Sequence, residues 1–443
     1  MKNLIDTIKN IWRIEELRKR ILITLGLLLV YRIGSFIVLP GVNSAALASA
    51  STGGGGGLVD LLSIFTGGAF TRASIFALGV MPYISASIIM QLAGIAVPAV
   101  QKMQREESGR RKINQWTRYL TILICIFQAP GYIYTYVPEA ARQVANPEFW
   151  MFTSIVILTC STLFVMWLGE RITERGLGNG ISLIIMIGIL ARLPESFIQE
   201  FIGRTTGGGG LVVILLEVVL WLLIIAGNIL LVQGTRRIPV QFAKRVQGNK
   251  QYGGVRNYIP LKVNAAGVMP IIFAQAIVLI PLYISQAFEN PPQWMLQFSR
   301  YESIGYNLTL FLMVVLFTYF YTAITVNPNQ LADDMKRNGG FIPGVKPGKH
   351  TASHIDDLLS RITLPGAIFL GIVAILPAFA MMAGVKQGFA QFFGGTSLLI
   401  MVGVLLDTLQ QIESHLLMRH YDGLMKTGRI KGRTNAAYGM ATG

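Results

Sequence analysis

Apolar runs about twenty residues long recur ten times along this chain, more than a soluble fold of this length can bury. They lie at about 21–40, 73–97, 118–137, 150–169, 181–198, 211–233, 264–287, 307–326, 363–383 and 396–418. A helix of about twenty apolar residues matches the thickness of a bilayer core, so each run is expected to cross one. The fifth is the weakest, because ISLIIMIGILARLPESFI is short and contains Arg192 and Pro194. Charged residues make up 14% of the chain, well below the roughly 25% of a soluble domain, which agrees with a membrane solvent.

An even number of spans puts both termini on one side. Loops on that side carry 31 lysines and arginines, whereas the opposite side carries six: Arg72, Arg142, Arg192, Arg204, Arg300 and Lys386. Positive charge is retained in the cytoplasm during insertion, so both termini are expected there. The net charge of +16 is then a topology signal and a contact for anionic lipids, and nucleic acid is not expected as a substrate. Residues 1–20 look like an amphipathic basic segment leading into a retained first span. Spans one to five occupy 21–205 and spans six to ten 206–418, joined through GRTTGGGGL and followed by a basic tail, 419–443. An odd number of spans per half is compatible with inverted halves, although no residue-level repeat supports this.

Catalytic patterns are missing. The chain has no HExxH, GxSxG or Walker motif, and GLGNG at Gly176 to Gly180 does not follow a strand. His350 and His354 share a helix face at i and i+4, but with Asp356 and Asp357 just beyond they look like a solvated helix start. Cys125 and Cys160 lie inside apolar runs and are expected to pack. No catalytic residue, cofactor or metal is therefore expected, and the chain is not expected to be an enzyme. Ionisable residues within spans usually mark ion paths; here they are Arg32, Glu217 and Asp407, with Glu413 near a span end. That is a thin relay, so an ion-coupled secondary transporter ranks second.

Two apolar segments carry small and polar residues. TGGAFTRASIFALGVMPYISASIIMQL, from Thr66 to Leu92, contains Pro82, Ser85, Ser87 and Gln91. LKVNAAGVMPIIFAQAI, from Leu261 to Ile277, contains Asn264, Pro270 and Gln275. Such residues suit helices that pack closely, and they suit equally a seam where helices part.

With YRIGSFIVLPGV, ESGRRKINQWTRY, MWLGERITERGLGNGISLIIMIGI, FYTAITVNPNQLADDMKRNGGFIPGVKPG and GGTSLLIMVGV, these segments resemble, in order and spacing, the bacterial SecY family, the channel subunit of the general protein translocase. The likeness runs from about 21 to 418. It implies an all-α integral membrane protein of ten transmembrane helices in two pseudo-symmetric five-helix halves with a short plug helix. It further implies a channel for unfolded secretory and membrane polypeptides in the bacterial inner membrane.

By motif position, the resemblance implies an aliphatic ring of Val80, Ile84, Ile181, Ile185, Ile272 and Ile400. Branched apolar side chains offer water and ions no hydrogen bond, as a gate that closes by dewetting requires. The implied plug, 58–68, is Leu58, Val59, Asp60, Leu61, Leu62, Ser63, Ile64 and Phe65, tethered by the glycines at 53–57, with Gly67 and Gly68 as its hinge. The implied lateral gate opens between spans two and three and spans seven and eight, where Ser85, Gln91, Gln128 and Asn264 lie.

The cytoplasmic loops 234–262 and 327–362 are expected to bind the SecA ATPase or the ribosome, through Arg236, Arg237, Lys244, Arg245, Lys250, Lys346 and Lys349. The first of these loops has no acidic residue, so its attraction for partners should weaken with salt. Small SecE-like and SecG-like membrane subunits are further expected partners. Two features depart from the family pattern. PGVKPG has Lys346 where arginine is usual, and lysine lacks arginine's planar fork. Glu217 has no evident counterpart and no assigned role.

Overall fold

The computed structural model describes residues 12, 14–43, 46–47, 66–142, 144, 146–206, 210–242, 245–247, 250–252, 256–278, 292 and 303–426. In chain order its helices begin with α1 (Glu15–Gly34), α2 (Met81–Ala96), α3 (Pro98–Arg105), α4 (Glu107–Tyr136), α5 (Pro147–Arg175), α6 (Gly180–Thr206) and α7 (Gly210–Gln233). After strands β1 (Thr235–Phe242), β2 (Arg245–Gln247), β3 (Lys250–Tyr252) and β4 (Arg256–Lys262) come α8 (Met269–Val278), α9 (Ile304–Thr325) and α10 (Pro328–Arg337). The last elements are β5 (Gly340–Phe341), α11 (Lys349–Met382), α12 (Gln387–Ala390) and α13 (Gly395–Lys426). Each of the ten apolar runs meets a helix, namely α1, α2, α4 to α9, α11 and α13.

Several helices outrun their apolar cores. The 30 residues of α4 extend about 45 Å, because ESGRRKINQWTRY continues the helix into solvent. The fifth span, expected to be weak, is a 27-residue helix that carries Pro194 in its interior. Asn179 starts it, its Oδ1 accepting the N–H groups of Ile181 at 3.2 Å and Ser182 at 3.4 Å.

The second span is shorter than expected: the apolar run starts at 73, but its helix begins at Met81. Pro82 sits in the first turn, where its missing N–H would have had no intrahelical partner. Ahead of it, residues 66–80 are turns, with Gly67 and Gly68 at φ of 63° and 84°, angles that side chains other than glycine's rarely tolerate. These turns are buried and pinned. Leu39 N–H donates to Ala73 O and Ile75 N–H to Ile37 O, both at 2.8 Å, and Tyr132 Oη donates to Phe70 O at 2.7 Å. The plug residues Leu58 to Phe65 lie outside the described residues.

The two loops 234–262 and 327–362 share one small sheet in the order β4-β1-β5. β1 pairs antiparallel with β4, Ile238 opposite Ile259, and its end pairs with β5, Gln241 opposite Phe341. Ile238, Val240, Leu261, Met335, Ile342, Ile355 and Leu359 are buried together beneath it. Residues 338–351 therefore close a sheet and turn into α11, which starts at Lys349 and carries His350 and His354 in its first turns.

Outward-facing apolar side chains cover the spans. On α7, Leu211, Val212, Leu215, Leu216, Leu223 and Leu230 are exposed, as expected where the solvent is lipid tails.

Candidate functional site

Two apolar clusters meet at mid-chain helices. One holds Leu28, Tyr31, Phe76, Val80, Val165, Leu183 and Ile184, from α1, the buried turns, α5 and α6. The other holds Ile185, Ile189, Val385, Phe389, Phe393 and Ile400, from α6, α12 with its flanking turns, and α13. Ile84, Ile181 and Val404 pack against both. Five of the six ring residues expected from the sequence thus belong to this junction. Ile272 does not belong to either cluster. Its segment reaches the junction through Val268, one turn earlier, while neighbouring Ile271 is buried in the second half's own core. Val404, four residues beyond Ile400, was not foreseen; its helical spacing from Ile400 was the available signal.

On one side of the junction α2 faces α9. Tyr321 Oη donates a 3.1 Å hydrogen bond to Gln91 Oε1, joining residues 230 positions apart. Phe273 on α8 lies 5.5 Å from the Tyr321 ring and 5.8 Å from that of Phe317. Of the polar residues expected here, only Gln91 reaches across. Ser85 Oγ donates back to Met81 O of its own helix at 3.1 Å, and Gln128 is exposed on α4. Asn264 sits in the turn before α8 with its Oδ1 buried and without a partner among the described residues. Tyr321 was missed because nothing local marks one tyrosine of FTYFYTAIT as a partner.

The two groups of spans are also fastened at both ends of α6. At its start, Gly178 N–H, just ahead of the helix, donates to Gln411 Oε1 of α13 at 2.8 Å. At the far end, Arg204 bonds Glu217 Oε1 at 2.7 Å, and Lys386 donates its N–H to Glu200 Oε2 at 2.8 Å and its ammonium to Gln199 O at 2.9 Å. Among the described residues, the side-chain hydrogen bonds between spans one to five and spans six to ten are thus several here and one at Gln91.

Arg236 and Arg237 are exposed on β1, and Lys346 and Lys349 beyond β5. Thr351 Oγ1 donates to Lys346 O at 2.9 Å, which fixes the backbone of that tip. Lys244 lies outside the described residues. Arg245 and Lys250 lie in β2 and β3, which pair with each other. Among the described residues no group of three or more histidine, cysteine or acidic side chains is arranged to hold a metal ion.

The SecY family model matches residues 74–409. The chain belongs to the SecY family. It is 42% identical over 437 residues to the protein translocase subunit SecY of Mycobacterium tuberculosis strain H37Rv, covering 94% of this chain and 98% of that protein. It is also 42% identical over 427 residues to SecY of Escherichia coli K12, covering 94% and 96%. Among solved structures it is similar to one titled "The structure of a protein conducting channel", with a TM-score of 0.60 at 17% identity over 90% of this chain and 92% of that one. It is similar too to Sec61 in the canine ribosome-channel complex from the endoplasmic reticulum, with a TM-score of 0.58 at 17% identity over 90% and 92%. At such identities the structures speak for the fold: the ten-span arrangement of a multi-pass membrane protein is that of SecY relatives.

Proposed function

We propose that the chain is the protein-conducting channel of a translocase, passing unfolded secretory polypeptides through the Ile84–Ile181–Ile400 junction and releasing membrane segments sideways between α2 and α4 on one side and α8 and α9 on the other. The observation that carries this reading is the unequal fastening, among the described residues, of its two groups of spans: several bonds along α6, and one Tyr321–Gln91 bond between α2 and α9. A body hinged along one edge opens at the opposite edge.

The aliphatic ring of Val80, Ile84, Ile181, Ile185 and Ile400, joined by Val404, seals the resting channel because it offers no hydrogen bond to water or ions. In the seventh span we assign the ring position to Val268 or Ile272. Leu58 to Gly68 act as the plug. The sheet of the two cytoplasmic loops presents Arg236, Arg237, Lys346 and Lys349 to a SecA-like ATPase or to the ribosome. Small SecE-like and SecG-like subunits and anionic lipids complete the assembly, in the bacterial inner membrane with both termini cytoplasmic. We assign the chain no catalytic role and no cofactor. An ion-coupled transporter is not favoured: Glu217 is engaged by Arg204, and Arg32 donates to Gly67 O at 3.1 Å, so the two charges serve separate structural contacts.

An interhelical hydrogen bond within a bilayer contributes about 0.6 kcal/mol, or about threefold in an equilibrium constant. Tyr321→Phe is accordingly expected to shift the gate toward open by about that factor. Export of a reporter with a weakened signal sequence should rise, with a normal signal little affected. Identical export of the weakened reporter by wild type and variant would count against a gate at this seam.

A further inference from the structure

The hinge side carries a charged cluster that conduction itself does not use. Glu200 and Glu217 are 2% and 6% exposed, and one arginine engages them both. Arg204 Nε donates to Glu200 Oε1 at 2.9 Å and its Nη2 to Glu217 Oε1 at 2.7 Å. Glu200 turns its other oxygen to the Lys386 N–H, 2.8 Å away. The stem of Lys386 lies so close over α6 that a side chain at Gly203 would collide with it, and Gly384 packs near the Arg204 guanidinium. One arginine therefore ties the fifth span to the sixth, and one glutamate ties the fifth span to the turn between α11 and α12.

Stability alone is a poor explanation for such a cluster. Desolvating buried charges offsets most of their attraction, and well-packed apolar side chains in their place are often as stable or more so. What ions supply is geometry. Arginine's planar fork fixes the direction of each bond, and removing any one member leaves an uncompensated buried charge, so the cluster holds one arrangement or gives way.

Building on the channel reading, we propose that Arg204, held by Glu200 and Glu217 and flanked by Lys386, is a positioning residue for the lateral gate: a hinge clasp that keeps the fifth span docked on the second half, so that opening is confined to the Gln91–Tyr321 seam. The clasp sets how far and how readily the seam parts without touching the translocating chain. It also gives Glu217 a role.

The test uses the full chain in membranes with three variants: Arg204→Met, Arg204→Lys and Glu217→Gln. Spin labels at Ile89 and Phe320, exposed positions flanking the seam, report its distance distribution. A reporter with a weakened signal sequence reports stringency. Arg204→Met is expected to broaden the seam distances and raise export of that reporter about fivefold or more, with partial recovery in Arg204→Lys. Glu217→Gln keeps an oxygen for Arg204 and almost the same shape, so it is expected to fold even if Arg204→Met does not, and to relax stringency to a smaller degree. Unchanged seam distances and unchanged stringency in Glu217→Gln, together with a lower melting temperature, would reduce the cluster to a structural brace and overturn the proposal. Stringency that responds to Tyr321→Phe but to no clasp variant overturns the clasp alone; stringency that responds to none of them counts against the seam as well.

Discussion

Replacing Ile84 and Ile400 together by asparagine should make the resting protein leak ions. Both residues belong to the junction where the two apolar clusters meet, Ile84 from α2 and Ile400 from α13. A constriction walled by aliphatic groups stays closed to ions because water finds no hydrogen bond in it, and each isoleucine removed takes away about 1.5–3 kcal/mol of that penalty. For two residues the population of hydrated, conducting channels should rise by roughly two to four orders of magnitude. Potassium efflux from vesicles containing the purified protein measures this directly. Ile84→Leu with Ile400→Leu keeps the apolar wall and should not leak. If the asparagine pair leaked no more than the leucine pair, the seal would lie elsewhere.

Gly180→Ala should disrupt the turn between α5 and α6, with the larger effect on stability. A methyl group there would run into the carbonyl oxygen of Gly169 and lie 2.7 Å from Ile172 Cβ. The first obstacle is backbone, so relief requires the two helices to separate, at a cost of about 1–3 kcal/mol. The turn is also laced to three helices by its own N–H groups. Leu177 donates to Thr24 Oγ1 of α1 at 3.0 Å, Gly178 to Gln411 Oε1 of α13 at 2.8 Å, and Gly180 to Thr173 Oγ1 of α5 at 2.9 Å. Displacing Gly180 strains all three together. The melting temperature in detergent should fall by several degrees, and Gly26→Ala, whose added methyl meets nothing within 4 Å, should match or exceed wild type. Equal melting temperatures for the two variants would contradict the close approach.

The spans were legible because length and apolarity are local properties, and ten runs became ten helices. Their ends were not. Polar ESGRRKINQWTRY continues α4, since helix geometry needs no apolar side chains once nucleated, and α2 starts late because Gly79 and Pro82 interrupt a run that hydropathy cannot divide. The ring positions followed from motif resemblance; five of them lie where the two clusters meet, while Ile272 is in neither cluster and Val268, four residues earlier, packs against one of them. What stayed hidden depends on pairing across the fold. Tyr321 meets a glutamine on another span, β1 meets a two-residue strand beyond α10, and Arg204 meets Glu217. Both charges of that last pair were visible in the sequence, Arg204 as a loop cation and Glu217 as a residue without a purpose, yet nothing in either sequence neighbourhood joined them.

In the proposed channel an unfolded chain passes through the junction of Ile84, Ile181 and Ile400. A photoreactive amino acid placed singly at Ile84, at Ile400 and at lipid-facing Leu216 of α7, in membranes loaded with a stalled secretory polypeptide, tests it most directly. Covalent adducts of the polypeptide are expected from positions 84 and 400, with only lipid adducts from 216. Adducts absent at both junction positions, or equally strong at 216, would contradict a path through this pore.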